Sequence, residues 1–489
     1  MTSTRQLRLG IAIIGAGFGG VGLGARLSRA GRDDFRIFDR AEGIGGTWWA
    51  NRYPGCACDV PSHLYSLSFR PNPDWTRRFA PRAEIQAYLE RVVDEHQLRG
   101  RLELGCGIGS ARWDDARACW RLTDEHGRRW HAEVLVSAIG GLSRPNRPDI
   151  PGLESFGGPL FHSQQWDEAV TLAGKRVAVI GTGASAAQFV PAIAPEATKL
   201  DVYQRSPHWI LPRPDAAIGP RRRALYRRLP GLQKLARFGI WLLSEAHVPG
   251  LAWNSRLAAG HRWLADRHRR RQVPDPDLRA RLTPDFDIGC KRVILSSDFY
   301  PALMRENVEL LDAGIERVQP GAIVDRTGRC RPTDVIILGT GFRATDPVPE
   351  GMIVGRDGRD LGRAWRDGPE AWRGIAVHGF PNLFMLMGPN TALGHNSVIL
   401  MIEAQIGFIV RALEWREHRG RPVLEVDKRR QRRYNDRLQR RLAGTVWNAG
   451  SCSSWYLHPV SGRNTTLWPG FTWQYRRMMR RFDPSAFGA

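Results

Sequence analysis

Residues 11–30, IAIIGAGFGGVGLGARLSRA, decide the architecture. The opening IAII is β-branched and apolar, the composition of a strand buried on both faces. Gly15-x-Gly17-x-x-Gly20 follows at once and opens a helical pattern that runs from Val21 to Ala30. Glycine at these three places permits a tight turn and lets backbone N–H groups approach a pyrophosphate, whose charge a helix N-terminus favours. A second strand, Phe35–Phe38, ends at Asp39, 24 residues after Gly15, where a ribose hydroxyl needs an acceptor. The bland alternative is a turn that merely happens to be glycine-rich. Strand, glycines, helix, strand and acid in this order favour dinucleotide binding. The acid suits an unphosphorylated ribose, so FAD fits this loop better than NADPH.

A second set of the same parts lies further along. The strand KRVAVI, 175–180, leads into Gly181, Thr182, Gly183, Ala184, Ser185 and Ala186, with a small residue in the third glycine position. Its second strand, 200–204, ends in Arg205-Ser206 and not in an acid. Arginine there can pair with a 2′-phosphate, which makes this the NADPH loop; a surface arginine in an arginine-rich chain is the alternative. Each loop is followed by an exit strand, VLVSAIGG at 134–141 and TDVIILGTGF at 333–342. The expected fold is therefore α/β, with two Rossmann-like dinucleotide-binding domains. Alternation around Trp113, Trp120 and Trp130 predicts an antiparallel ribbon over 102–136, and the proline-rich 143–151 reads as a hinge.

Composition bounds the rest. A chain of 489 residues with 42% hydrophobic and 25% charged residues suits a soluble protein of two or three domains. The formal charge is +23, yet Lys175, Lys199, Lys234, Lys291 and Lys428 are the only lysines, and arginines run through the whole length. Without a nucleic-acid motif this is a compositional bias, and no nucleic-acid partner is expected. The start is polar and no run of about 18 apolar residues occurs, so neither a signal peptide nor a transmembrane span is expected. Seven scattered cysteines predict a cytoplasmic protein with no disulfide framework and no metal site. From 220 to 282 the pattern is helical and very basic, with RRRALYRRL and RWLADRHRRR flanking GIWLL. Solvated helix faces are expected there, with peripheral membrane contact as the lesser alternative.

Between the two loops stands FGGPLFHSQQWD, 156–167, matching Phe-x-Gly-x-x-x-His-x-x-x-Trp-Asp at Phe156, Gly158, His162, Trp166 and Asp167. After the first loop comes GGTWWANRYPGCACD, 45–59, with Gly45, Gly46, Trp48, Tyr53, Pro54, Gly55 and Asp59 in a second pattern. Both resemble signatures of the type I Baeyer–Villiger monooxygenases. The resemblance runs from about Gly10 to the end and includes the tail SSWYLHPVSGRNTTLWPGFTW, although His458 stands where a subgroup has Asp.

The resemblance implies a FAD- and NADPH-dependent enzyme that inserts one oxygen atom from O2 next to a ketone carbonyl, through a flavin peroxide, giving an ester or lactone. It implies that Thr47, Trp48, Asp59 and Tyr65 meet the flavin nucleotide, that Lys291 contacts the 2′-phosphate, and that Arg292 is catalytic with Asp59 orienting it. Trp48 and Tyr53 could instead be core aromatics, and Asp59 a helix cap. The FGGPLFHSQQWD stretch is expected to work as a hinge held by His162, and His395 as an ordered loop residue. The expected domains are 1–150 with 381–489 for FAD, 151–218 with 326–380 for NADPH, and 219–325 as a helical lid. An N- or S-oxygenating flavin monooxygenase would share both loops, but Trp166-Asp167 and Lys291-Arg292 argue against it. A flavin reductase or oxidase is weaker still, since no C-x-x-C is present.

Overall fold

The computed structural model describes residues 7–452 and 454–487. The polar start at 1–6 and Ser453, where the tail motif begins, lie outside the described residues. Strand β1 (Leu7–Ile14) and helix α1 (Phe18–Arg29) flank the first glycine loop, and β2 (Phe35–Phe38) pairs in parallel with β1. Ile11, Ile13, Phe35 and Ile37 share one core with Val21, Leu23 and Leu27 of α1. The predicted ribbon forms as β3 (Ile108–Asp114), β4 (Cys119–Asp124) and β5 (Arg129–Ser137), all antiparallel. Its three tryptophans turn to one side of the sheet and build a second core with Phe38 and Phe380. The exit strand expected at 134–141 is the far end of β5, which pairs with β1 up to Ile14↔Ser137.

The second sheet is parallel throughout. It contains β6 (Leu160–His162), β7 (Arg176–Ile180) with its following helix α2 (Ala186–Ile193), and β8 (Lys199–Tyr203). The basic segment then folds into α3 (Pro220–Arg228), α4 (Pro230–Glu245) and α5 (Ala259–Gln272). Strands β9 (Val308–Leu311) and β10 (Val335–Leu338) complete the order β9-β8-β7-β10-β6. Thus the span 219–325 is helical only in its first part and then supplies β9 to the nucleotide sheet. The chain also returns to the first sheet before 381, because Ile353–Val354 pairs with β3. Finally β11 (Leu383–Met385) pairs with β5, and α6 (Val398–His418) packs on α1.

Helix α4 is held to the body by polar groups. Gln233 Nε2 donates to Asn72 O at 2.6 Å, and Arg237 Nη1 donates to the carbonyls of His63 and Ser66. Glu245 accepts from Asn396 and from the backbone and hydroxyl of Thr472. His63 is buried beneath this helix, 3.2 Å from Gln233. Burial, with Arg222 and Arg237 nearby, pushes its pKa down to about 4. The unfolded chain takes up a proton below about pH 6.5, whereas the folded one does so only near 4. His63 therefore costs no stability above pH 6.5 and on the order of 2 kcal/mol at pH 5. A melting-temperature series from pH 7 to 5 is expected to fall less steeply for His63→Gln than for the wild type.

Candidate functional site

The two glycine loops supply cradles of the same shape. Gly15 has φ +111° and an added Cβ would lie 2.4 Å from Ala138 O; at Gly20 it would lie 1.9 Å from Gly15 O. Those two glycines are required by the fold itself. Gly17 is not: its φ is −81°, and the nearest atom to an added Cβ is Gly46 Cα at 3.6 Å. Gly183 in the second loop is likewise open, with only Gly339 O at 4.0 Å, while Gly181 repeats the strained φ of +109°. Neither α1 nor α2 receives a side-chain hydrogen bond at its N-terminus. Open space before uncapped amide groups fits a pyrophosphate. Gly17→Ala is accordingly expected to keep the melting temperature of the apoprotein while losing most bound FAD, read from the absorbance of the purified protein; Gly20→Ala should unfold it.

Asp39 directly follows β2. Its Oδ2 accepts from Ala16 N at 2.7 Å and its Oδ1 from Ala41 N at 2.9 Å, which aims the carboxylate across the end of the first loop. After Gly45 and Gly46, both at positive φ, residues Thr47–Ala50 make one helical turn. Trp48 donates its indole N–H to Tyr65 Oη at 3.1 Å, and Tyr65 packs edge-on to Phe18 at the start of α1. Both rings thus stand beside the first loop, and Trp48 and Tyr53 are also buried, as expected of core aromatics. Tyr53 Oη donates to Gln188 of α2 at 3.1 Å, so the second motif bridges the two sheets.

Arg205 and Ser206 follow β8 by two and three residues, and Lys291 Nζ donates to Ser206 Oγ at 2.8 Å. Among the described residues neither Arg205 nor Lys291 forms an ion pair. Burial and the Arg205 charge hold the Lys291 pKa below its usual value, and neighbouring His208 is pushed down to about 4 by burial, Lys291 and Arg205. A cluster of like charges that forms no ion pair among the described residues, with Asp285 as the one acid acting on Lys291, suits an anion.

Arg292 comes next in sequence and turns to the other sheet. Its Nε and Nη2 both donate to Asp59 Oδ2, at 3.0 and 2.5 Å. Asp59 sits in a bend and pairs with this guanidinium instead of capping a helix. The Asp59 charge holds the Arg292 pKa above its already high value. About a third of each side chain remains accessible, so the pair is half-buried, with donors left over for another ligand. Tyr456, from the tail, is buried close enough for both charges to act on it: burial raises its hydroxyl to about 12 although Arg292 pulls it down. The tyrosine falls inside the tail motif that begins at Ser453, but nothing in that motif ties it to Arg292. A cleft of about 400 Å³ lined by Tyr53, Gly55, Ala57, Phe79, Arg82 and Arg213 opens on the loop that carries Asp59, where Arg213 donates to Cys58 O.

One expectation is overturned beside this pair. Cys290 and Cys452, expected to be free thiols, are joined by a disulfide across 162 residues of sequence. Spacing alone gives no sign of such a link, because only the fold brings the tail against the segment that precedes Lys291. The remaining described cysteines, Cys56, Cys58, Cys106, Cys119 and Cys330, are free.

The hinge stretch is tied at both ends. His162 ends β6, accepts from Gln164 N at Nδ1 and donates from Nε2 to Gly341 O at 3.0 Å, which fixes the Nε2–H tautomer. Burial lowers its pKa, so the ring stays neutral. Gln164 Nε2 donates to Leu142 O, at the edge of the proline-rich linker. Trp166 lies between Phe161 and Phe189, Asp167 closes a turn on Ala169 N, and Phe156 packs in the core of the second sheet. A Cβ on Gly158 would meet Asp334 O at 2.4 Å. His395 is buried with its Nε2 3.7 Å from Glu245, an ordered loop residue as expected, and His458 is 3.3 Å from Ser461 Oγ. Among the described residues neither forms a hydrogen bond or ion pair with Arg292 or Asp59.

Comparison with known proteins agrees with this layout. Residues 13–81 match the family described as NAD(P)-binding Rossmann-like domain. The chain is 52% identical over 477 residues to a Baeyer-Villiger monooxygenase of Pseudomonas aeruginosa, covering 98% of this chain and 90% of that protein. It is 46% identical over 475 residues to a Baeyer-Villiger monooxygenase of Streptomyces coelicolor, covering 97% and 91%. Among solved structures, oxidized steroid monooxygenase bound to NADP superposes with a TM-score of 0.84 at 30% identity, covering 96% of this chain and 97% of that one. The closed form of cyclohexanone monooxygenase superposes with a TM-score of 0.86 at 27% identity, covering 97% of both chains. Identity at this level, held over nearly the whole of both chains, places the protein in the Baeyer–Villiger monooxygenase family.

Proposed function

We propose that the protein is a FAD- and NADPH-dependent Baeyer–Villiger monooxygenase that adds one oxygen atom of O2 beside the carbonyl of a ketone, giving an ester or lactone. The observation that carries this reading is the half-buried Asp59–Arg292 pair, set between a FAD-type loop and a cationic NADPH-type cluster. Gly15, Gly17, Gly20, Asp39, Thr47, Trp48, Asp59 and Tyr65 hold FAD. Gly181, Thr182, Gly183, Ala184, Ser185, Ala186, Arg205, Ser206 and Lys291 hold NADPH. When bound, these cofactors supply the reducing electrons and the activation of oxygen.

The chain's own contribution is charge and position. Arg292 keeps its proton at any working pH and presents fixed donors where negative charge develops on the ketone oxygen. Asp59 holds that guanidinium in one orientation through Nε and Nη2, leaving Nη1 free for substrate. His162 acts on neither: it fastens β6 to Gly341 and so couples nucleotide binding to movement of the second sheet domain. His162→Ala is expected to raise the ratio of NADPH consumed to product formed, and a variant with normal coupling refutes that role. In this reading the FAD domain is 1–150 with 381–489 and takes in the 353–354 strand, the NADPH domain is 151–218 with 326–380 and takes in β9, and the helical first part of 219–325 is the lid over the substrate.

The test is product mass. The enzyme is offered cyclic, linear and aryl ketones, and alongside them a sulfide and a tertiary amine. Gain of one oxygen on a ketone, dependent on NADPH, is expected. Oxygenation of the sulfide and amine alone would move the protein to the N- or S-oxygenating class.

A further inference from the structure

Helix α4 is inside out. On a wheel of 100° per residue its exposed apolar side chains, Leu232, Leu235, Phe238, Leu242 and Leu243, fall within an arc of about 140°. Leu235 is 64% and Leu243 66% exposed, whereas Gln233 on the opposite side is 3% exposed. An ordinary surface helix buries its apolar stripe and shows water its polar one. Here Gln233, Arg237 and Glu245 are the anchors to the body, and the apolar stripe stays exposed among the described residues.

The patch does not stop at the helix. Phe238 packs against Trp241 with ring centroids 5.4 Å apart, and Trp241 donates to Thr472 Oγ1. Beside Thr472, Phe471 packs against both Trp473 and Trp253, each of which is 45% exposed. Such a continuous apolar and tryptophan-rich face marks an interaction surface.

Charge selects the partner. From Gly219 to Ser244 the chain has no acidic residue, and Arg221, Arg223, Arg228 and Lys234 form no ion pair among the described residues. Trp241 and Trp473 also line an open cleft of about 1420 Å³ whose walls carry seven arginines, Arg411, Arg476, Arg477 and Arg480 among them, against the two acids Glu403 and Asp483. A second copy of the chain would set this cationic rim against itself. A surface of anionic headgroups over an apolar interior complements both halves at once. No helix among the described residues is long and apolar enough to cross a membrane, so the contact is peripheral.

We propose that the outward face of α4, continued through Trp253 and Trp473 and bordered by the arginine cleft, docks on an anionic phospholipid bilayer. The holoenzyme is floated with vesicles of phosphatidylcholine alone or mixed with phosphatidylglycerol, at low and high salt. Flotation with the anionic vesicles at low salt is expected, weaker by about tenfold on neutral vesicles and at high salt. Leu235→Glu with Leu242→Glu, both on the exposed side, should cut flotation by at least about tenfold with unchanged FAD content and melting temperature. Absence of flotation, or equal flotation of the double variant, overturns the proposal. So does a wild-type dimer, seen by light scattering, that the double variant splits, since the face then belongs to a second copy.

Discussion

Arg292→Ala is expected to abolish ketone oxygenation, lowering the rate of product formation by about a thousandfold or more, while NADPH still reduces the flavin at a rate within a few-fold of the wild type. The split follows from where the side chain lies. Arg292 is bonded to Asp59 and near Tyr456, and not to the Arg205, Ser206 and Lys291 cluster proposed to receive the nicotinamide nucleotide. Removing it takes away a fixed positive charge and leaves Asp59 without its partner. Loss of one donor to a developing oxyanion costs on the order of 3–4 kcal/mol, and a charged donor lies at the upper end. Anaerobic stopped-flow reduction and aerobic product analysis on one preparation check both halves. Retained oxygenation sinks the proposed role of Arg292; lost reduction means that it serves NADPH instead.

The second large effect is expected at Lys291 and Arg205. In the proposed reading each supplies a charge-assisted hydrogen bond to the 2′-phosphate, worth about 1.5–3 kcal/mol, so Lys291→Ala or Arg205→Ala should raise the KM for NADPH by about ten- to a hundredfold. The KM for NADH, which lacks that phosphate, should hardly move. The preference between the two cofactors therefore collapses, and kcat at saturation changes little. A structural role would not produce this pattern. In the unliganded protein burial first and the Arg205 charge second hold the Lys291 pKa down, so Arg205→Ala should not lower the melting temperature. A full NADPH preference in both variants would show that the phosphate lies elsewhere.

Much of this arrangement is legible in one dimension because its physics is local. Gly15 and Gly20 are dictated by backbone conformation and by a carbonyl directly above them, and Asp39 by its place at the end of β2. The ribbon over 102–136 is readable because alternation of buried tryptophans has the period of a strand. Arg292 and Asp59 were found through the resemblance of their surroundings to known signatures, not through anything in their spacing. Residues 233 apart carry no mark of a shared salt bridge.

Other features are invisible in sequence for the same reason. Tyr456 lies in the tail motif, which carries no sign of a partner for it, and only the return of the tail to Arg292 gives it meaning. The Cys290–Cys452 link breaks the expectation of free thiols because disulfide geometry depends on Cα positions, not on the number of residues between them. Strand β9 hides inside a span read as helical because four residues, VELL, are too few to show a period. In α4 the apolar residues suggest burial by type, yet the body offers polar partners to the other side of the helix and leaves them outside.

By itself the sequence determined the two dinucleotide loops and the strands and helices that flank them, since each depends on contacts within about 30 residues. Which cation pairs with which acid, which thiols meet, and which face of the lid helix looks outward were decided only by the tertiary structure. Those outcomes depend on how separate elements pack, and packing brings together residues that no local pattern connects.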